Sequence, residues 1–280
     1  VPAETTALSV PAGGLVLAGD DAGEGQAIVL LHGLTATRRY VVMGSRLLER
    51  SGMRVISYDA RGHGASEPAP EPRAYGYEDL SSDLLAVMDD LAIERAILAG
   101  ASMGAHTALA LALAHPERVR ALAIITPGFD PTRPDGGERL ERWDALAEGL
   151  RNGGIDGFVA AYGIETLSPR WREVIETVLR QRLAAHAHPL AVADALEAVP
   201  RSQPFGSLDE LREISVPTIV IASRDEPDPG HPLAVSEAYA EAIPEATLVV
   251  EQEGSPIAWQ GGQLSRVLLG LAERAAAESP

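Results

Sequence analysis

Six short apolar runs narrow most sharply what this chain can fold into: Ala27–Leu31, Arg54–Tyr58, Ala96–Ala99, Ala121–Ile125, Thr218–Ala222 and Thr247–Val250. Each is rich in Val, Ile, Leu or Ala and apolar on both faces, as strands buried within a parallel sheet are. Between several of them lie segments with apolar residues at three- and four-residue spacing: Arg38–Arg50, Glu78–Leu91, Met103–Ala114, Val235–Ala242 and Gln263–Arg274. Strand and helix in alternation predict an α/β fold, a doubly wound and mostly parallel sheet. Two alternating stretches at the start, Ala7–Val10 and Leu15–Ala18 around Pro11 and Gly13-Gly14, predict a hairpin at a sheet edge.

The alternation stops between Pro127 and Ser215. Glu138–Arg151, Pro169–Ala187 and Leu190–Ala198 have helical periodicity, and no strand pattern intervenes. Residues 1–130 and 213–280 are therefore expected to form the core domain, with 131–212 a helical cap inserted over it.

Composition removes several chemistries. There is no cysteine, so disulfides, thiolate metal sites and a cysteine nucleophile are excluded. All 23 basic residues are arginine, so no lysine Schiff base forms and pyridoxal phosphate linked through lysine is excluded. A net charge of −17 argues against nucleic acid or an anionic membrane as partner. No apolar run reaches membrane-spanning length, and the first residues lack a secretory pattern, so a cytoplasmic protein is expected.

Three motifs follow the predicted strands. Gly100-Ala101-Ser102-Met103-Gly104 joins the strand at Ala96–Ala99 to the helix that begins at Met103. A turn of this kind holds the serine strained and exposed, with glycines where backbones approach closely. Leu31-His32-Gly33-Leu34 follows the first parallel strand and can aim a backbone N–H at a developing oxyanion; Leu34 and Met103 are the candidate donors. His32 itself reads as a structural histidine. Tyr58-Asp59-Ala60-Arg61-Gly62-His63-Gly64 follows the next strand, and Asp59 and Arg61 are expected to hold that loop by hydrogen bonds.

Together "LLHG", "YDARGHGAS", "GASMGA" and "VPTIVIASRDE", in this order and at this spacing, resemble the α/β-hydrolase superfamily. The resemblance implies Ser102 as nucleophile, an acid after the strand Thr218–Ala222 and a histidine after the strand Thr247–Val250. A serine nucleophile counts against the haloalkane dehalogenase and epoxide hydrolase branches, which use aspartate. Esterases, lipases, thioesterases, C–C hydrolases and perhydrolases remain open. Alignment with the family pattern puts Glu226 at the acid's position, with Asp225 second and Asp228 third.

The pattern fails at the base. Gly254-Ser255 stands where the family has Gly-His, and no histidine follows Pro232. A hydroxyl does not accept and return a proton at neutral pH. Three explanations compete: another histidine has taken the role, the hydrolytic cycle has been lost, or Ser255 is an introduced change. For the first, His231 in Asp228-Pro229-Gly230-His231-Pro232 lies at the same sheet end as Ser102, and Gly230 and the prolines let the loop bend and then hold it. His106, one turn beyond Ser102, is the rival. His186 and His188 read as exposed helix histidines, since H-x-H without a third ligand is a weak metal signal. Trp143, Phe158, Tyr162 and Trp171 supply apolar surface within the cap.

The expectation is a cofactor-free serine hydrolase without a metal, acting on a small-molecule ester or related acyl compound. The alternative is a ligand-binding or lyase-type member of the same fold.

Overall fold

The computed structural model describes residues 5–133, 137–224, 228, 230–252 and 260–277. Eight strands form one sheet in the order β1-β2-β4-β3-β5-β6-β7-β8. Strands β1 (Thr5–Ala12) and β2 (Leu15–Ala22) form the antiparallel edge hairpin, and β2 continues antiparallel onto β4. The rest are parallel: β3 (Gln26–Leu31), β4 (Met53–Tyr58), β5 (Ala96–Ala101), β6 (Val119–Ile125), β7 (Thr218–Ala222) and β8 (Thr247–Val250). All six apolar runs are strands.

Both faces of the sheet are covered, which explains why those runs are apolar throughout rather than alternating. Val29, Leu31, Leu98, Leu122 and Val220 point to one side. There they meet α2 (Tyr77–Asp90), α3 (Met103–Ala114) and α7 (Leu233–Ala242). Ile28, Leu30, Ile97, Ala123 and Ile221 point to the other, against α1 (Leu47–Arg50) and α8 (Gly261–Ala277). The neighbours Val29 and Leu30 fall in different clusters because successive strand residues face opposite ways.

One predicted helix is corrected. Arg38–Arg50 is not continuous: a 3-10 turn at Arg38–Tyr40 is separated from α1 by Met43 and Gly44, whose φ values of 48° and 72° lie in the left-handed region. Periodicity does not register such a break.

Between β6 and β7 the chain forms α4 (Gly137–Tyr162, broken at Gly154), α5 (Pro169–Leu183) and α6 (Pro189–Ala198). These helices share their own apolar cluster, centred on Leu146, Leu150, Phe158, Leu179, Val192 and Leu196. A second cluster joins them to the sheet domain: Ala191 and Ala195 of α6 pack with Tyr75, Tyr77, Leu80 and Met103. His186 completes the attachment. It is buried, accepts the Gly64 N–H on Nδ1 at 2.8 Å, and donates its Nε2–H to the Thr35 carbonyl at 3.0 Å. The expectation that His186 is exposed is thus overturned: its two ring nitrogens bind two backbone groups of the sheet domain's loops. His188 is exposed at the start of α6. No helix among the described residues is long and apolar enough to cross a membrane.

Candidate active site

Ser102 stands between β5 and α3 with φ 52° and ψ −113°, a conformation that costs a non-glycine residue about 1–3 kcal/mol. The flanking glycines are sterically required. A Cβ on Gly100 would lie 2.1 Å from the Gly104 carbonyl oxygen, and one on Gly104 would lie 2.3 Å from that of Leu31. The turn is pinned by the Ser102 N–H donating to Ile125 O at 2.9 Å, and Ser102 is half-buried.

The loop after β3 passes directly beside it. A Cβ on Gly33 would meet Ser102 Cβ at 3.4 Å and Ala101 O at 3.3 Å, so the backbone leading into Leu34 runs alongside the serine. Met103 opens α3, where the first N–H groups have no intrahelical partner. His32 is buried and holds this loop: its Nδ1–H donates to Gly33 O at 2.8 Å, and its Nε2 accepts the Ala60 N–H at 2.9 Å. Burial pushes its pKa down to about 4, so the ring is neutral and structural, as expected. The next loop is held by Asp59, which accepts from Arg38 and Ala65, and by Arg61, whose guanidinium grips Asp83 with two 2.7 Å bonds.

His231 reaches Ser102 from the loop after β7. Its Nε2 lies 2.8 Å from Ser102 Oγ, and its Nδ1–H donates to Asp228 Oδ1 at 2.8 Å. In the sheet, β7 is two places from β5 whereas β8 is three, about 10 Å against about 14 Å. The histidine thus comes from a nearer strand than the family pattern uses. Room for its ring is left by Gly128, where a Cβ would come within 3.1 Å of His231 Cδ2. Burial works against protonation of His231, but the charge and hydrogen bond of Asp228 outweigh it, and the net pKa is raised.

The third-ranked carboxylate, Asp228, is therefore the one that meets the ring. Glu226 and Asp225, ranked above it, lie outside the described residues, as does Ser255. His106 does not point at Ser102. It is buried, with Nδ1 3.1 Å from Tyr77 Oη and Nε2 accepting the Gly128 and Phe129 amides at 3.4 and 3.3 Å, and burial lowers its pKa to about 3. Trp143, Phe158, Tyr162 and Trp171 belong to the helical segment's own cluster. Tyr162 also comes near the site: its phenol is pushed up by burial and then by the charge of Asp228.

Sequence reasoning missed Glu251. Buried at the end of β8, it accepts the Arg224 N–H at 2.6 Å and the Ser223 hydroxyl at 3.1 Å, clamping the start of the loop that carries Asp228 and His231. A carboxylate directly after an apolar strand run was the available signal. Hydroxyl, imidazole and carboxylate now stand in hydrogen-bonded series, the arrangement that nucleophilic catalysis by serine requires.

The model of the alpha/beta hydrolase fold family matches residues 26–158. A 2-hydroxy-6-oxononadienedioate/2-hydroxy-6-oxononatrienedioate hydrolase of Pseudomonas putida is 33% identical over 220 residues, 74% of each chain. The chain belongs to the α/β-hydrolase fold family. Among solved α/β-hydrolase structures, a thermophilic esterase from Thermogutta terrifontis superposes with a TM-score of 0.79 at 26% identity, covering 96% of this chain and 99% of that one. The enol-lactonase of Burkholderia xenovorans LB400 gives 0.78 at 26% identity, covering 95% and 100%. These α/β-hydrolase relatives are hydrolases, and the esterase and the enol-lactonase are named for ester bonds, open-chain or cyclic.

Proposed function

We propose that this protein is a serine hydrolase acting on a small carboxylic ester or a related acyl compound. The observation that carries the reading is the pair of 2.8 Å contacts, Ser102 Oγ to His231 Nε2 and His231 Nδ1 to Asp228 Oδ1. Ser102 gives its proton to His231 Nε2 as Oγ attacks the substrate carbonyl carbon. The carbonyl oxygen becomes negative and is met by the amides of Leu34 and Met103. The tetrahedral adduct collapses, and the leaving alcohol takes the proton from Nε2. Water then attacks the acyl-Ser102, passing a proton to His231, and the acid leaves as that proton returns to Oγ. Asp228 holds the ring in the tautomer that leaves Nε2 free to accept, and it stabilises the imidazolium. The α4–α6 segment serves as a cap over the site. The esterase and lactonase names among the relatives support acyl chemistry, and the P. putida relative's name keeps a C–C bond adjoining a carbonyl within the same class of attack.

Intact mass after exposure to a fluorophosphonate tests this directly, with native protein beside His231→Ala. One adduct mapped to Ser102, formed at least about 1,000-fold more slowly in the variant, is expected. Absence of labelling in the native protein would overturn the reading and leave a ligand-binding or lyase-type role.

A further inference from the structure

Two arginines occupy the last turn of α5, and they are treated in opposite ways. Arg180 faces outward and is paired, with Nε 2.9 Å from Glu176 Oε1 and a second bond of 2.6 Å to Asp156. Arg182 turns inward. Its Nε is out of solvent and has no hydrogen-bond partner among the described residues, and no carboxylate of those residues forms an ion pair with it. Its guanidinium lies over the Tyr40 ring, 5.2 Å from the centroid.

The electrostatics locate this cation. Its charge disfavours protonation of His32, which holds the loop beside Ser102, and of His231, which touches Ser102 from the other side. In turn Asp228, Tyr40 and Tyr162 favour the charge of Arg182, though burial weighs more heavily against it. A helix of the inserted segment therefore holds a guanidinium within electrostatic reach of both flanks of Ser102. A guanidinium whose Nε is out of solvent without a partner among the described residues is costly to the fold. A planar guanidinium is also the side chain best matched to a carboxylate, through two parallel N–H···O bonds.

We infer that Arg182 is a specificity residue that binds a carboxylate on the substrate. Resting on the serine-hydrolase reading, the inference narrows its substrate to an acyl compound bearing a free carboxylate away from the bond that is cleaved. A monoanion fits better than a dianion such as a phosphate monoester. One guanidinium is available, and the negative Asp228 lies close by. The Tyr40 ring lies against this guanidinium, and Tyr162 is within its electrostatic reach.

The experiment uses p-nitrophenyl monoesters of succinic, glutaric and adipic acid beside p-nitrophenyl butyrate. The ratio of kcat/KM for the best anionic ester to that for the neutral one is compared among native protein, Arg182→Gln and Arg182→Lys. The ratio is expected to fall about 10- to 100-fold in Arg182→Gln, the range for one charge-assisted contact, and to recover in part in Arg182→Lys. In parallel, Ser102→Ala protein is titrated calorimetrically with monomethyl succinate, glutarate and adipate, with and without Arg182→Gln. Binding lost with Arg182→Gln, alongside native protein that takes no fluorophosphonate, would leave the carboxylate site standing while the Ser102 reading falls. A ratio unchanged in Arg182→Gln, or no binding of any monomethyl ester, overturns the inference.

Discussion

Asp228 and His231 are three residues apart, and the bond between them decides the pH response of the site. Because Asp228 raises the pKa of His231, the acidic limb of kcat/KM should lie above the ordinary imidazole value of about 6.5. Asp228→Asn removes that charge and permits the wrong tautomer. The expected outcome is a kcat lower by about 1,000- to 10,000-fold and an acidic limb displaced downward. Steady-state pH profiles of the two proteins check this; a limb that stays in place would assign the charge to another carboxylate. At this scale the sequence was legible wherever backbone sterics within a local motif set the geometry. Ser102, Met103 and the Gly33-Leu34 loop follow from strand–turn–helix sterics. Asp228, the carboxylate that meets the ring, ranked third in the sequence for a physical reason. Family spacing positions a carboxylate to meet a ring arriving from beyond β8, and here the ring arrives from the acid's own loop.

At the scale of elements, periodicity found the strands and most helices, because each buries a regular face. It failed at Met43 and Gly44, where two left-handed residues interrupt a segment whose apolar spacing continues across them. It failed also at His186, since a side chain that bonds to the backbone of distant loops leaves no periodic trace. That residue links the turn after α5 to the loops around Thr35 and Gly64, and the helix that carries Arg182 ends three residues before it. Replacing His186 by Ala orphans one N–H and one carbonyl, a cost of about 1–3 kcal/mol. A melting temperature lower by about 3–8 °C is expected in a thermal scan. An unchanged value would mean that the apolar contacts of α6 hold the segment unaided.

Across the whole molecule, four buried imidazoles share one response to acid. His32 and His106 are lowered to about 4 and about 3, His63 well below its ordinary value, and His186 in the same direction, burial being the leading cause in each. All four are neutral in the fold and protonate near pH 6.5 once unfolded. Their contribution is therefore complete above about pH 6.5 and lost as pH falls below it, at about 1.4 kcal/mol per pH unit for each group still neutral in the fold. His231 acts with the opposite sign: its raised pKa favours the fold below pH 6.5, and that advantage disappears as pH rises through the folded value. Four groups outweigh one, and between pH 6.5 and 5 most carboxylates stay ionised, so relief of the −17 charge offsets little. Urea midpoints should fall steeply from pH 7 to pH 5. A flat profile across that interval would contradict neutral burial of the cluster.

The turn that places Asp228 and His231 is closed by the His231 N–H donating to Asp228 O at 3.1 Å, so one short loop sets the separation of the two groups. Where acid and base stand on different loops, their alignment depends on two strands keeping register, and slippage at the sheet edge spoils it. Here the pair is a portable unit. Its tie to β8 is indirect, through Glu251 at the start of the loop rather than through the pair itself. Such a loop could be grafted as one piece onto the matching strand end of a related sheet.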